Sequence, residues 1–270
     1  MTTNTTVPVA SGTIVVFSDL TCPFAHVAIH RLFTARARLG LDEHVRLDHH
    51  AFPIELLNST PGTRHGSDSE IPVLGPLEPD AGWQIWQGPD YHYPSTVLPA
   101  FEAVQAVKAQ SLELSEHFDR SVRRAFWADS RPIHLHHELL AIAASINGVD
   151  VDALDHALRD GTHRRDIFDD LETVRSGTAR MSPHLFLPDG TDITNPGLSV
   201  HWQGEWAKGF PVIDRDDRNT YDDIVAGAAR EPVSSAAGTS AGRSGARRGA
   251  TASEPPSTPA PHPTRPGAGA

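Results

Sequence analysis

The chain has one cysteine, Cys22, among 270 residues. A lone thiol excludes an intramolecular disulfide, a multi-thiolate metal centre and the dithiol cycle of a Cys-x-x-Cys catalyst. Lysine is confined to Lys108 and Lys208, while arginine, alanine, aspartate and proline abound. That bias points to a high-G+C bacterial genome and says nothing about mechanism. No apolar run is long enough to span a membrane, so no membrane partner is expected. The opening Met1-Thr2-Thr3-Asn4-Thr5-Thr6 lacks the basic and apolar regions of a secretory signal. A cytoplasmic location is expected, where a single thiol stays free.

Isoleucine, leucine and aromatic residues end at Ile224. From Glu231 onward the chain is mostly Ser, Ala, Gly, Pro and Arg without periodicity, too little apolar surface to offset the entropy of ordering. The tail 231–270 is expected to be disordered. Its four arginines against two glutamates give it +2, so with a formal charge of −11 for the whole chain the remainder carries −13. An acidic body of this kind argues against nucleic acid as a partner.

The most informative segment is Ser18-Asp19-Leu20-Thr21-Cys22-Pro23-Phe24-Ala25-His26. The β-branched run Thr13-Ile14-Val15-Val16-Phe17 before it reads as a buried strand. After it, Phe24, Ala28, Leu32, Ala35 and Leu39 share one helical face until Gly40. Cys22 thus stands at a helix N-terminus, where free N–H groups and the helix dipole favour thiolate, and a low-pKa nucleophile is expected. His26 lies one turn on. It is either a proton partner or charge for the thiolate, or a partly exposed helix residue without a role in chemistry. Phe24 is expected to wall the thiol.

The arrangement resembles the thioredoxin-like proteins of the DsbA family, with Cys22-Pro23-Phe24-Ala25 where the family has Cys-x-x-Cys. Ala25 replaces the second cysteine. A second match is Thr178-Ala179-Arg180-Met181-Ser182-Pro183-His184-Leu185-Phe186-Leu187, similar to the family's cis-proline loop. The resemblance implies that Ser182 and Pro183 face Cys22. The run Ser121-Val122-Arg123-Arg124-Ala125-Phe126-Trp127-Ala128 resembles the FrnE-like and 2-hydroxychromene-2-carboxylate isomerase branches, close to the kappa-class glutathione transferases.

The implied fold class is α/β, a thioredoxin fold with an inserted all-helical domain. The expected division is a flexible N-terminus at 1–11, a first thioredoxin half at 12–57, the helical insertion at 58–161, the second half at 162–230, and the tail. Spacing predicts helices over 97–110, 116–128, 133–147, 151–158, 162–177 and 219–229, with Ser95-Thr96 and Ser115 as N-caps. A second strand is predicted over 45–50, and a hairpin joins 185–187 to Ile193 across Pro188-Asp189-Gly190.

Sixteen histidines raise the question of metal. His134, His137 and Glu138 have ligand-like spacing, but they open a helix away from the expected site and lack zinc-protease order, so no metal is expected. His49-His50 read as a strand end beside solvent. Trp83, Trp86, Tyr91 and Tyr93 are candidate cleft residues, or aromatics that pack their own loop.

The resemblance implies three candidate functions. The first is a monothiol oxidoreductase, with Cys22 as catalytic nucleophile, Pro23, Phe24, Ala25, His26, Ser182 and Pro183 shaping the site, and an external small thiol as resolving partner. The second is a glutathione-type thiol-dependent transferase or isomerase, with Cys22 as hydrogen-bond donor to a bound thiol. The third is a peptide-binding protein without catalysis. No tightly bound cofactor is expected. A low-molecular-weight thiol is the candidate co-substrate, and a small thiol or disulfide the candidate substrate. Oligomeric state is not legible in the sequence.

Overall fold

A computed structural model of the chain describes residues 7–205 and 209–230. The expected disorder of the tail lies outside them. The first strand, β1 (Thr13–Ser18), leads through Asp19-Leu20-Thr21 into α1 (Pro23–Leu39) and then β2 (Arg46–Ala51), which pairs parallel to β1. Pro23 opens α1, where a missing N–H costs nothing and a fixed φ is already helical. Gly40 closes it at φ 67°, a left-handed conformation that spares a Cβ clash.

The helical region comes next as α2 (Ile54–Asn58), α3 (Arg64–Leu74), α4 (Leu98–Gln110), α5 (Leu112–Trp127), α6 (His136–Ala144) and α7 (Val151–Asp160). Helix α8 (Arg164–Arg175) then leads to β3 (His184–Phe186) and β4 (Asp192–Thr194), both antiparallel to their neighbours. The sheet order is β2-β1-β3-β4. A separate hairpin of β5 (Leu198–Gln203) and β6 (Phe210–Asp216) precedes the last helix, α9 (Thr220–Ala228).

β1 is apolar on both faces because both are covered. Ile14 and Val16 join α1 and α9 through Ile29, Leu32, Tyr221 and Ile224. Val15 and Phe17 point the other way, toward Phe52, Val174 and Phe186, and Val7 and Val9 ahead of β1 pack there too. A third core lies among the helices, around Phe101, Phe118, Phe126, Trp127 and Leu154.

The edge strand β2 takes its outer hydrogen bonds from helix side chains. Leu47 N donates to the Glu116 carboxylate of α5, Gln105 of α4 donates to His49 O at 3.0 Å, and Ala51 N donates to Asp170 of α8 at 2.8 Å. The helical layer thus covers the sheet edge. His49 is therefore buried rather than beside solvent, because α5 packs over it. Ring contact with Phe17 and a 2.6 Å bond to Asp170 likewise hold His50 in place.

Some helix limits differ from the sequence expectation. Helix α5 begins at Leu112 with Ser111 as its cap, the Ser111 hydroxyl accepting from Leu114 N, while Ser115 is fully buried inside the helix. Both serines suit a cap, and packing of α5 against the sheet selects the earlier one. Ser95 and Thr96 precede an α4 whose capping residue is Val97; Thr96 Oγ1 instead donates to Glu55 and accepts from Leu98 N. The predicted helix at 133–147 shortens to α6, since residues 131–135 turn to place Ile133 in the core.

Candidate active site

The loop after β1 is built before the cysteine is placed. Asp19 is almost wholly buried; one carboxylate oxygen accepts from Thr21 N and Oγ1 and the other from Ile54 N. Burial raises its pKa, against the lowering effect of these hydrogen bonds. Buried Arg123 of α5 donates to Asp19 O and Ser18 Oγ, each at 2.7 Å, and pairs with Asp119 at 2.6 Å. Trp127 Nε1 donates to Leu20 O. Helix α5 therefore grips the loop that presents Cys22.

The Ser182–Pro183 bond is cis. Ser182 meets the cysteine loop twice, its hydroxyl accepting from Asp19 N at 2.8 Å and its carbonyl from Cys22 Sγ at 3.2 Å. Cys22 and Ser182, 160 residues apart, are thus in contact. Cys22 caps α1, and Ala25, one turn in, is fully buried.

Cys22 belongs to an apolar cluster with Phe24, Ala25, Val27 and Leu74, against which Ile54, Leu77, Trp83 and four hairpin residues, Leu198, Val200, Trp202 and Ile213, pack. Trp202 approaches Phe24 with ring centroids 6.5 Å apart. A bidentate contact from Arg31 of α1 to Asp216, at 2.6 and 3.0 Å, anchors the far end of β6. Under this cover Cys22 is only 7% exposed.

The electrostatic outcome corrects the low-pKa expectation. Burial pushes the Cys22 thiol up to about 12; hydrogen bonds with Ser182 and Ala25 pull down, and the charges of Glu70 and Asp19 add to the rise. The helix N-terminus loses to desolvation here. The sulfur is thus a neutral thiol donating to a carbonyl.

His26 is also corrected. Its ring is 4% exposed, in edge contact with Trp83 and stacked with Trp127, and Nε2 lies 3.2 Å from Gly82 O. Burial and the charge of Arg123 lower its pKa to about 3, so it is uncharged at neutral pH and lends no positive charge to a thiolate. Trp83 reaches the thiol cluster, Trp86 is core, Tyr93 bonds Ser67 through its hydroxyl, and Tyr91 is exposed. Of the metal candidates, Glu138 pairs with Arg131, and His137 is exposed. Among the described residues no group of three or more ligand-type side chains is placed to share an ion.

Sequence reasoning missed Asp19, Arg123, Glu70 and the hairpin. The first three owe their importance to burial beside chain segments far away. Glu70, four residues before Leu74 on α3, is raised by burial to about 7 and has no hydrogen-bond or ion-pair partner among the described residues. The hairpin had a signal, since Leu198, Val200 and Trp202 alternate with Ser199, His201 and Gln203.

A family model described as the DSBA-like thioredoxin domain matches residues 13–193, ending before the hairpin. The fold is similar to that of a cytosolic disulfide reductase, DsbM, from Pseudomonas aeruginosa, with 19% identity and TM-score 0.50 over 67% of this chain and 87% of that one. A structure of the same protein with GSH gives 17% identity and TM-score 0.53, over 67% and 89%. A protein described as a probable DsbA oxidoreductase from Streptomyces coelicolor gives 14% identity and TM-score 0.54, over 82% and 92%. No curated protein sequence matches this chain. No helix among the described residues is long and apolar enough to cross a membrane.

Proposed function

This chain belongs to the DSBA-like thioredoxin domain family, and from that premise we propose that it is a monothiol thiol-disulfide oxidoreductase served by an external small thiol. The observation that carries the reading is a single thiol, Cys22, held against Ser182 O at 3.2 Å with Ala25 where the second cysteine of a Cys-x-x-Cys pair would stand. Cys22 first gives its thiol proton to solvent base, a costly step at its raised pKa, and Sγ then attacks one sulfur of a small disulfide. A mixed disulfide forms as the old bond breaks, and the departing thiolate is released to take a proton from solvent. A second small thiolate then attacks the substrate sulfur of the mixed disulfide. This releases a new disulfide and returns Cys22, reprotonated, to its starting state.

Phe24, Trp202 and Leu198 form an apolar wall that suits a small partner better than a protein surface. A cytoplasmic setting suits the mechanism, because a reducing compartment supplies the resolving thiol. The glutathione bound in the DsbM structure is an instance of such a thiol on this fold.

One observation favours a second reading. A neutral thiol that donates a hydrogen bond is placed to donate to a bound thiolate instead, leaving the cofactor sulfur to react, as in a glutathione-type transferase or isomerase. Exchange between a small-molecule glutathione mixed disulfide and reduced glutathione separates the two. Under the monothiol reading the wild type turns over and Cys22→Ser falls to the uncatalysed rate, with insulin reduction negligible in both. Retention of most activity by Cys22→Ser, whose hydroxyl still donates, would transfer the assignment to the second reading.

A further inference from the structure

On the flank of α1 that carries His26, Ile29 and His30, a cavity of about 180 Å³ lies between α1, the turn at Ala81, and Arg120, Ser121, Arg123 and Arg124 of α5. Its charges are unusual for an acidic chain. Arg123 is satisfied by Asp119, Ser18 and Asp19. Arg120 and Arg124 are not: among the described residues neither guanidinium has a hydrogen-bond acceptor or a carboxylate partner. They stand one turn apart on the same helix, a like-charge spacing that destabilises a helix unless something offsets it. Burial, with the neighbouring charges of Arg124 and Arg36, lowers the pKa of Arg120.

Both residues are exposed overall, and each guanidinium lies close to one neighbour in the fold. The Arg120 guanidinium lies 4.7 Å from the centroid of the Phe33 ring. Arg124 lies against Gly82, where a Cβ would come within 3.0 Å of Nη1 and 2.9 Å of Ala128 Cβ. Gly82, at φ 85°, leaves that space free, and its carbonyl is fixed by His26. The carboxylates nearby are engaged or face outward. Glu78 pairs with Arg31 and lies 3.8 Å from His30, Asp80 is exposed, and Asp119 is turned to Arg123. The Ser121 hydroxyl donates to His117 O; of the side chains lining the cavity, the guanidinium groups of Arg120 and Arg124 and the imidazole of His30 make no hydrogen bond among the described residues.

We propose that this cavity is a binding site for a small oxyanion of the phosphate type, held by charge-assisted hydrogen bonds from Arg120 and Arg124. Two guanidinium forks match the several acceptor oxygens of a tetrahedral anion, and a cavity of about 180 Å³ has room for one. The site does not include Cys22, and the inference stands whether or not the thiol chemistry does.

The test is titration of the full-length protein with inorganic phosphate by calorimetry and thermal unfolding, against sodium chloride at matched ionic strength. Saturable binding to the wild type, with a rise in thermal midpoint that chloride does not produce, is expected. Arg120→Ala with Arg124→Ala should weaken binding by roughly tenfold or more, while the anion-free midpoint stays level or rises because a like-charge pair is gone. Cys22→Ser should bind as the wild type does. Competition by a nucleoside monophosphate at equal or higher affinity would support the site and assign it to the phosphate of a larger metabolite, and weaker competition would support it and assign free phosphate. No saturable binding, equal shifts with chloride, or unchanged affinity in the double variant would overturn the proposal.

Discussion

The reactivity of Cys22 is set by two opposed effects that a sequence shows unequally. Its position at the start of α1 is local and legible, and so was the partner loop at Ser182-Pro183. Its desolvation is not, because the covering residues Leu74, Trp202 and Ile213 lie 52 to 191 positions away in the chain. Desolvation decides, and the thiol is pushed up to about 12. Alkylation by a small reagent should therefore be slow below neutral pH and climb roughly tenfold per pH unit without a plateau below about pH 9. Two variants divide the cause. Trp202→Ala admits water and should raise the rate at pH 7 by roughly tenfold or more. Glu70→Gln removes a charge that opposes the thiolate, so the rate should rise a few-fold above about pH 7, where Glu70 is ionised, and stay level below pH 6. A slower Glu70→Gln would show instead that Glu70 takes the proton from Cys22.

At the scale of elements, the edge of β2 shows how helix and sheet are joined. Burial works against the charge of Asp48, yet hydrogen bonding from His50 and the Lys108 ammonium at 2.6 Å hold it well below the usual carboxylate range. For His50 burial works against the proton, and Asp170 and Asp48 more than compensate, raising its pKa. A raised folded-state pKa gives stability that is complete below the unfolded value near 6.5 and lost as pH climbs through the folded value. Asp170→Asn should accordingly lower the thermal midpoint more at pH 5.5 than at pH 8. The expected loss at pH 5.5 is about 1–2 kcal/mol, or roughly 3–6 °C in a chain of this size. Equal losses at both pH values would mean that the hydrogen bond to Ala51 N, and not the His50 charge, matters. The helices of this layer were readable from spacing and capping residues, though their exact starts were not, as Ser111 and Ser115 show. The roles of Glu116, Gln105 and Asp170 were unreadable, since each looks like an ordinary polar helix residue until the sheet edge it covers is known.

For the whole molecule, the local landmarks at the two ends of the thioredoxin fold identified the architecture because a strand, a cysteine-bearing helix start and a Ser-Pro turn each leave a short signature. The hairpin over the thiol lies beyond the matched family region, and its importance depends on three-dimensional cover that composition does not reveal. The fold therefore supplies one sulfur, a loop that receives it, and a wall that keeps it dry. On the proposed function this sulfur forms and releases a covalent bond to a small thiol without help from a second cysteine. Intact mass of the protein after incubation with oxidised glutathione at pH 8 tests it directly. One glutathione adduct is expected, located at Cys22, removed by reduced glutathione and absent from Cys22→Ser. A wild-type mass that stays unmodified while a glutathione-dependent activity is present would contradict it.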